Sequence, residues 1–170
     1  MIDQSPPTIQ QQMKDRVFSF KSFLTVLEII DEKRNPQGME IFVRSTQAKI
    51  FIEAFCFELV LKIFYLLDKN TNHPTNHELD QIFNDLNEES KLIIQQEFEN
   101  KIKRPSLDFS KKLGEEIYVP DFDETLLQAK EIIINFKYDA KLSNGSIINK
   151  SFLKEMSKKI DEKIESKIKI

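Results

Sequence analysis

Apolar residues recur three and four positions apart along most of the chain, which is the spacing of one face of an α-helix. The first such face predicts a helix from about Thr8 to Lys33, and the Pro36 and Gly38 that follow disfavour its continuation. For Met39–Val43 the pattern leaves two interpretations open, a short strand or the start of the next helix. The apolar positions of the first helix are Val17, Phe20, Leu24, Leu27 and Ile30.

Capping and turn residues divide the rest of the chain into further helices. Asn87 can cap one helix that Pro105 would end, and Asp121 or Asp123 can cap another. Between Arg104 and Pro120 we expect an irregular connection. The predicted helical ranges are Ser45–Asp68, Asn76–Leu86, Glu88–Lys103, Glu124–Leu142 and Asn149–Lys167.

These patterns predict an all-α fold, a four-to-six-helix up-and-down bundle. Only 3 glycines and 6 prolines are present, which leaves little punctuation for a many-stranded sheet. We expect residues 1–146 to form the bundle and residues 147–170 to form a C-terminal amphipathic helix that packs on the bundle or on a partner. The apolar face of that last helix consists of Leu153, Met156, Ile160, Ile164 and Ile168.

The most apolar stretch, Ala48–Leu67, is about long enough to cross a bilayer. It carries four charged residues, and a charge at the centre of a membrane helix costs about 2.5–3.5 kcal/mol. We therefore expect a buried helix of a soluble bundle and no membrane interaction. The four charged residues are Lys49, Glu53, Glu58 and Lys62.

These charges form two pairs with a spacing of four, and the two pairs point to opposite sides of a straight helix. The pattern favours an ion pair on the surface at each end of the helix. The alternative is that one pair, such as Glu58 and Lys62, faces an internal groove.

The formal net charge of -3 gives no general attraction to nucleic acid or to an anionic membrane. One cysteine, Cys56, cannot form an internal disulfide, and the N-terminal residues lack the apolar core of a signal peptide. We expect a cytoplasmic protein with Cys56 in its core.

The chain contains two histidines four positions apart, His73 and His77. Pro74 places His73 outside the helix, so a shared metal site is not expected. Thr75 and Glu78 have the spacing of a capping box, which would place His77 in the first turn of a helix.

Other stretches with chemical potential have simpler explanations. DFDET, residues 121–125, pairs carboxylates, but carboxylates also favour a helix start through capping and the dipole. The lysine- and arginine-rich segment 101–112 has a single aromatic residue, Phe109, and not the series of interleaved aromatics used for base stacking, which favours a solvated loop. No glycine-rich phosphate loop can be built from three glycines, and we expect no cofactor.

Two consecutive helices resemble the HEPN superfamily of small helical bundles. In that family a helix with the pattern E-x-x-LK-x-L is followed by one with the pattern GHDL-x-x-LF-x-x-L. Glu58–Lys62 is similar to the first pattern, and Asn76–Leu79 begins a stretch similar to the second. NFKYDAK, residues 135–141, resembles an aromatic-basic segment of a late helix in some members. The resemblance covers about residues 44–142.

The resemblance implies a four-to-five-helix bundle that often dimerises and, in many members, cleaves RNA without metal. That activity belongs to an arginine followed after four to six residues by a histidine. None of the arginines here, Arg16, Arg34, Arg44 and Arg104, has a histidine in that window. The missing pair favours a protein without catalytic residues, and so not an enzyme.

The sequence thus predicts a non-catalytic helical domain that acts through protein–protein interaction, as a homodimer or with another protein. A toxin–antitoxin pair or an anti-phage defence system would be a suitable setting. The alternative is a divergent HEPN ribonuclease, or a nucleotide- or RNA-binding protein, that uses a non-standard polar groove. The candidate groove residues are Glu58, Lys62, His77, Lys137 and Tyr138.

Overall fold

The computed structural model describes residues 7–32, 39–135 and 148–168. These residues form seven α-helices and no strand, which confirms the prediction of an all-α bundle. One π-helical turn, Glu99–Lys103, joins the fourth helix to the fifth without a break. The helices are α1 (Ile9–Glu32), α2 (Met39–Lys69), α3 (Leu79–Asn84), α4 (Glu88–Phe98), α5 (Arg104–Leu113), α6 (Phe122–Asn135) and α7 (Lys150–Ile168).

The helix α2 lies at the centre of the bundle and contacts α1, α3, α6 and α7. Its backbone is helical from Met39 onward, so residues 39–43 form the start of this helix and not a strand. Most side chains between Ala54 and Leu67 are buried, because neighbouring helices cover α2 on every side. None of the helices in the described ranges is long and apolar enough to cross a bilayer.

The chain contains 14 phenylalanines, and phenylalanines from five helices form the centre of the core. Their ring centroids lie 4.7–6.5 Å apart, mostly in edge-to-face arrangements. Such pairs contribute about 0.5–1.5 kcal/mol beyond the burial of their area. The rings belong to Phe57, Phe83, Phe98, Phe122 and Phe152.

The apolar face of α7 packs into the same core. Phe152, Leu153, Met156 and Ile160 are fully buried, and Ile164 is partly buried against them. The apolar period predicted for the last helix is therefore confirmed as far as Ile164.

The prediction that Pro105 ends a helix is wrong. The chain remains helical through the π-helical turn and α5 as far as Leu113. Pro105 occupies the first turn of α5, where a missing backbone N–H is tolerated. Gly114 ends α5 with φ of 69°, a left-handed conformation that glycine adopts without strain.

Two of the predicted caps are confirmed. The side chain of Asn87 accepts a hydrogen bond from the backbone N–H of Ser90 at the start of α4, at 2.9 Å. Asp121 accepts one from the backbone of Glu124, and the Glu124 carboxylate accepts one from the backbone of Asp121. The carboxylates of DFDET thus start α6, as capping predicts.

Candidate functional site

Glu58 and Lys62 form an ion pair inside the bundle. They lie one turn apart on α2, with Lys62 Nζ 2.6 Å from Glu58 Oε1, and their side chains are 2% and 5% exposed. The interpretation as a surface pair is wrong for these two residues, because α2 has no solvent-facing side at this point. Away from water, the charge of each of these two side chains is therefore compensated by the other and by the polar groups around the pair.

The second pair of α2, Lys49 and Glu53, is also turned inward. Glu53 is buried, and Lys49 Nζ lies 3.9 Å from Glu53 and 2.8 Å from Asp31 of α1. The second pair is thus less enclosed than the first, because the Lys49 side chain is still 21% exposed.

His77 completes a polar cluster with Glu58 and Lys62. Its Nδ1 lies 3.0 Å from each oxygen of the Glu58 carboxylate. A carboxylate only accepts hydrogen bonds, so Nδ1 donates to Glu58 and Nε2 is directed away from it. The imidazole is 43% exposed, which gives solvent access to the only polar side chain of this cluster that is not buried. A histidine oriented in this way by a carboxylate can accept a proton.

The predicted capping box is wrong. The helix α3 begins at Leu79, and Glu78, at the N-cap position, makes no capping hydrogen bond with its side chain. Glu78 instead pairs with Lys130 of α6, and this partner raises the pKa of Lys130. His77 therefore lies in the loop before α3 and not in its first turn.

Of the five residues predicted to line a polar groove, three come together. These are Glu58, Lys62 and His77. Lys137 and Tyr138 lie outside the described residues.

Arg16 and His73 form a second polar pair, which sequence reasoning missed. Arg16 of α1 donates a hydrogen bond from Nε to His73 Nε2 at 3.2 Å. The two residues are 57 positions apart, and only the antiparallel packing of α1 on α2 brings them together. No local spacing in the sequence could have revealed this pair.

The remaining candidate residues have structural surroundings. Within the described ranges no group of three or more histidine, cysteine, aspartate or glutamate residues could hold a metal ion. Cys56 is fully buried, and burial together with the charge of Glu53 raises the pKa of its thiol to about 12. A thiol with this pKa is unreactive at neutral pH.

An apolar groove crosses the opposite face of α1 and has a volume of about 670 Å³. Three lysines border it: Lys14, Lys21 and Lys167. Phe18 projects from its wall with 74% of its surface exposed. Its apolar lining comprises Ile9, Met13, Val17 and Phe18 of α1, Leu66 and Leu67 of α2, and Ile164 of α7.

Comparisons with protein-family models, curated proteins and solved structures found no match to this chain. The resemblance to the HEPN superfamily therefore stays a prediction that rests on the three sequence stretches described above.

Proposed function

We propose that this chain is a non-catalytic helical domain that binds an amphipathic helix of a partner protein in the groove between α1, α2 and α7. The observation that carries the proposal is the apolar floor of the groove with the largely exposed Phe18 on its wall. Exposed aromatic residues beside an apolar depression are typical anchors of protein interfaces. Helix-in-groove recognition uses this combination.

The charges around the groove favour a partner with acidic flanks. Lys14, Lys21 and Lys167 line it, and among the residues that the structure describes no acidic residue does. Lys21 is already paired with Asp161 at 2.8 Å, but both of these side chains remain 46% exposed. Glutamate or aspartate beside the apolar stripe of a bound helix would complement this border.

The same charges argue against a homodimer in which two grooves face each other. Such an isologous pairing would bring the lysines of both copies together. We therefore assign the groove to a different protein. The setting, a toxin–antitoxin pair or a defence system, is part of the proposal that rests on the resemblance alone.

A designed amphipathic peptide with a leucine stripe and glutamate flanks tests this assignment by fluorescence anisotropy. We expect it to bind at least about tenfold more tightly than a matched peptide with lysine flanks, which corresponds to about 1.4 kcal/mol. Equal binding of both peptides would contradict the charge argument. Light scattering that showed a dimer, dissociated by the acidic peptide, would assign the groove to a second copy instead.

One observation supports the alternative of a divergent ribonuclease: Glu58 holds the imidazole of His77 in a fixed orientation. On our proposal, the purified protein leaves a fluorescent RNA oligonucleotide intact in buffer that contains a metal chelator. Cleavage that is lost in the His77→Gln variant would overturn the non-catalytic assignment, since this change removes the proton acceptor and preserves a polar side chain.

A further inference from the structure

A polar cleft of about 400 Å³ lies between α1 and the loop that precedes α3. Its volume is near the lower end of the range typical of small-ligand sites. It is separate from the apolar groove, because the two use opposite faces of α1. Polar side chains dominate its lining: Asp15, Arg16, Ser19, Asn72, His73 and Thr75.

Arg16 in this cleft has no carboxylate within ion-pair distance among the described residues. The partner of its side chain there is His73, which accepts from Nε and leaves the two terminal nitrogens of the guanidinium for a ligand. A guanidinium presents a planar set of donors that matches the oxygens of a phosphate. Ser19, Thr75 and Asn72 can add neutral donors.

His73 in the free protein is oriented as a neutral acceptor. Its Nδ1 lies 2.7 Å from the backbone carbonyl of Pro74, which can only accept, so Nδ1 carries the proton. Burial lowers the pKa of His73, and the charges of Arg16 and Lys62 lower it further. The Pro74 carbonyl and Glu58 act in the opposite direction without reversing the shift.

We propose that this cleft binds a phosphate group, either of inorganic phosphate or of a small phosphomonoester. The terminal nitrogens of Arg16 donate to the phosphate oxygens, and His73 keeps its Nε2 lone pair as the acceptor that orients the guanidinium through Nε. Asp15 is the opposing charge in the cleft lining. This inference does not depend on the protein-binding function, because no residue of the groove takes part in it.

The test is an NMR titration of the imidazole nitrogens with inorganic phosphate, and in parallel with adenosine 5′-monophosphate, at matched ionic strength. The chain has only 2 histidines, so a His77→Gln variant assigns both sets of signals. We expect saturable shifts of the His73 nitrogens, because Nε2 accepts its hydrogen bond from the guanidinium that holds the phosphate. A tighter complex with the monophosphate identifies a phosphomonoester as the ligand, and equal affinity identifies the phosphate group alone.

Two substitutions that each remove one positive charge distinguish a specific phosphate site from general attraction of phosphate to a cationic surface. Arg16→Gln should weaken phosphate binding at least about tenfold, the loss expected for one charge-assisted hydrogen bond. Lys14→Gln removes the same charge from the groove side of α1 and should leave the affinity unchanged. Asp15→Asn should strengthen binding. Equal losses in the Arg16 and Lys14 variants, or shifts at His73 that do not saturate, would overturn the proposal.

Discussion

Lys62 compensates the negative charge of the Glu58 carboxylate inside the bundle. Two charges removed from water lose their hydration, and their attraction offsets this loss only when both partners are present. The distance of 2.6 Å and the near-complete burial show that each ion has the other as a close partner. His77 provides a further hydrogen bond to Glu58 from the partly exposed side.

Replacing Lys62 with methionine should destabilise the fold by about 3 kcal/mol, because it leaves Glu58 as a buried charge without its cation. Urea denaturation followed by circular dichroism measures this loss. Lys154→Met is the matched control. Lys154 is 50% exposed and pairs with Glu28 at the surface, so its loss should cost less than about 1 kcal/mol.

The double variant Glu58→Leu/Lys62→Met distinguishes the buried charge from lost packing. Removing both ions should recover most of the stability that the single change loses. A single Lys62→Met variant as stable as the Lys154→Met control would contradict this account of the pair.

Single residues also show how far the sequence could predict the polar sites. Glu58 and Lys62 stood out because one exposed face of a straight helix cannot hold both charge pairs of α2, although the pattern favoured ion pairs on the surface. The hydrogen bond between His77 and Glu58 joins two elements and could not be derived from spacing. Arg16 was excluded as a partner because no histidine follows it closely in sequence, yet His73 reaches it through packing.

Asp31, near the C-terminal end of α1, connects three helices. Its carboxylate lies 2.8 Å from Lys49 of α2 and 2.6 Å from Lys150 of α7. Burial raises the pKa of Asp31, but the hydrogen bonds from Lys150 and Lys49 more than offset this, so the pKa lies below its usual value of 3.8. Asp31 thus stabilises the packing of α1, α2 and α7 when it is ionised.

Replacing Asp31 with asparagine should destabilise the protein by about 1 kcal/mol at pH 7, a magnitude reduced by partial solvent exposure. A lowered folded-state pKa contributes stability above the unfolded pKa, and this contribution is lost as the pH falls through the folded value. The difference between wild type and variant should therefore begin to shrink as the pH falls below 3.8 and should disappear only below the lower pKa of folded Asp31, as measured by urea denaturation across pH.

Asp161→Asn is the control for this pH series, because Asp161 pairs with Lys21 where both side chains are half-exposed. It should change stability by only about 0.5 kcal/mol or less. A difference between wild type and the Asp31 variant that persists undiminished at low pH would show that the ionised carboxylate does not cause the stabilisation.

At the scale of single helices, caps formed by neighbouring residues could be predicted from the sequence. Contacts with other helices that compete with a cap could not. Asn87 and Asp121 cap α4 and α6 as their sequence positions indicate, because each bond lies within one turn. Thr75 and Glu78 fit the same rule, but Glu78 pairs with Lys130 from another helix. Pro105 disfavours a helix interior, yet the preceding π-helical turn allows the helical path to continue.

Over the whole molecule, the two faces of α1 carry two different kinds of surface. One face meets the loop before α3 and lines the polar cleft, and the other forms the apolar groove with α2 and α7. Because no residue in the described part of the chain lines both, variants in one should leave binding at the other unchanged. The sequence predicted an apolar face for α1 but not the groove, since the position of α7 against it depends on the packed bundle.

The affinity of a Phe18→Glu variant for the acidic amphipathic peptide tests the central claim most directly. Phe18 is 74% exposed, so the change should preserve the fold while placing a charge on the apolar wall of the groove. Phe109→Glu on α5, where Phe109 is 57% exposed outside the groove, is the matched control. We predict at least about tenfold weaker binding for Phe18→Glu and unchanged binding for Phe109→Glu. Unchanged binding in the Phe18→Glu variant would contradict the assignment of this groove as the protein-binding site.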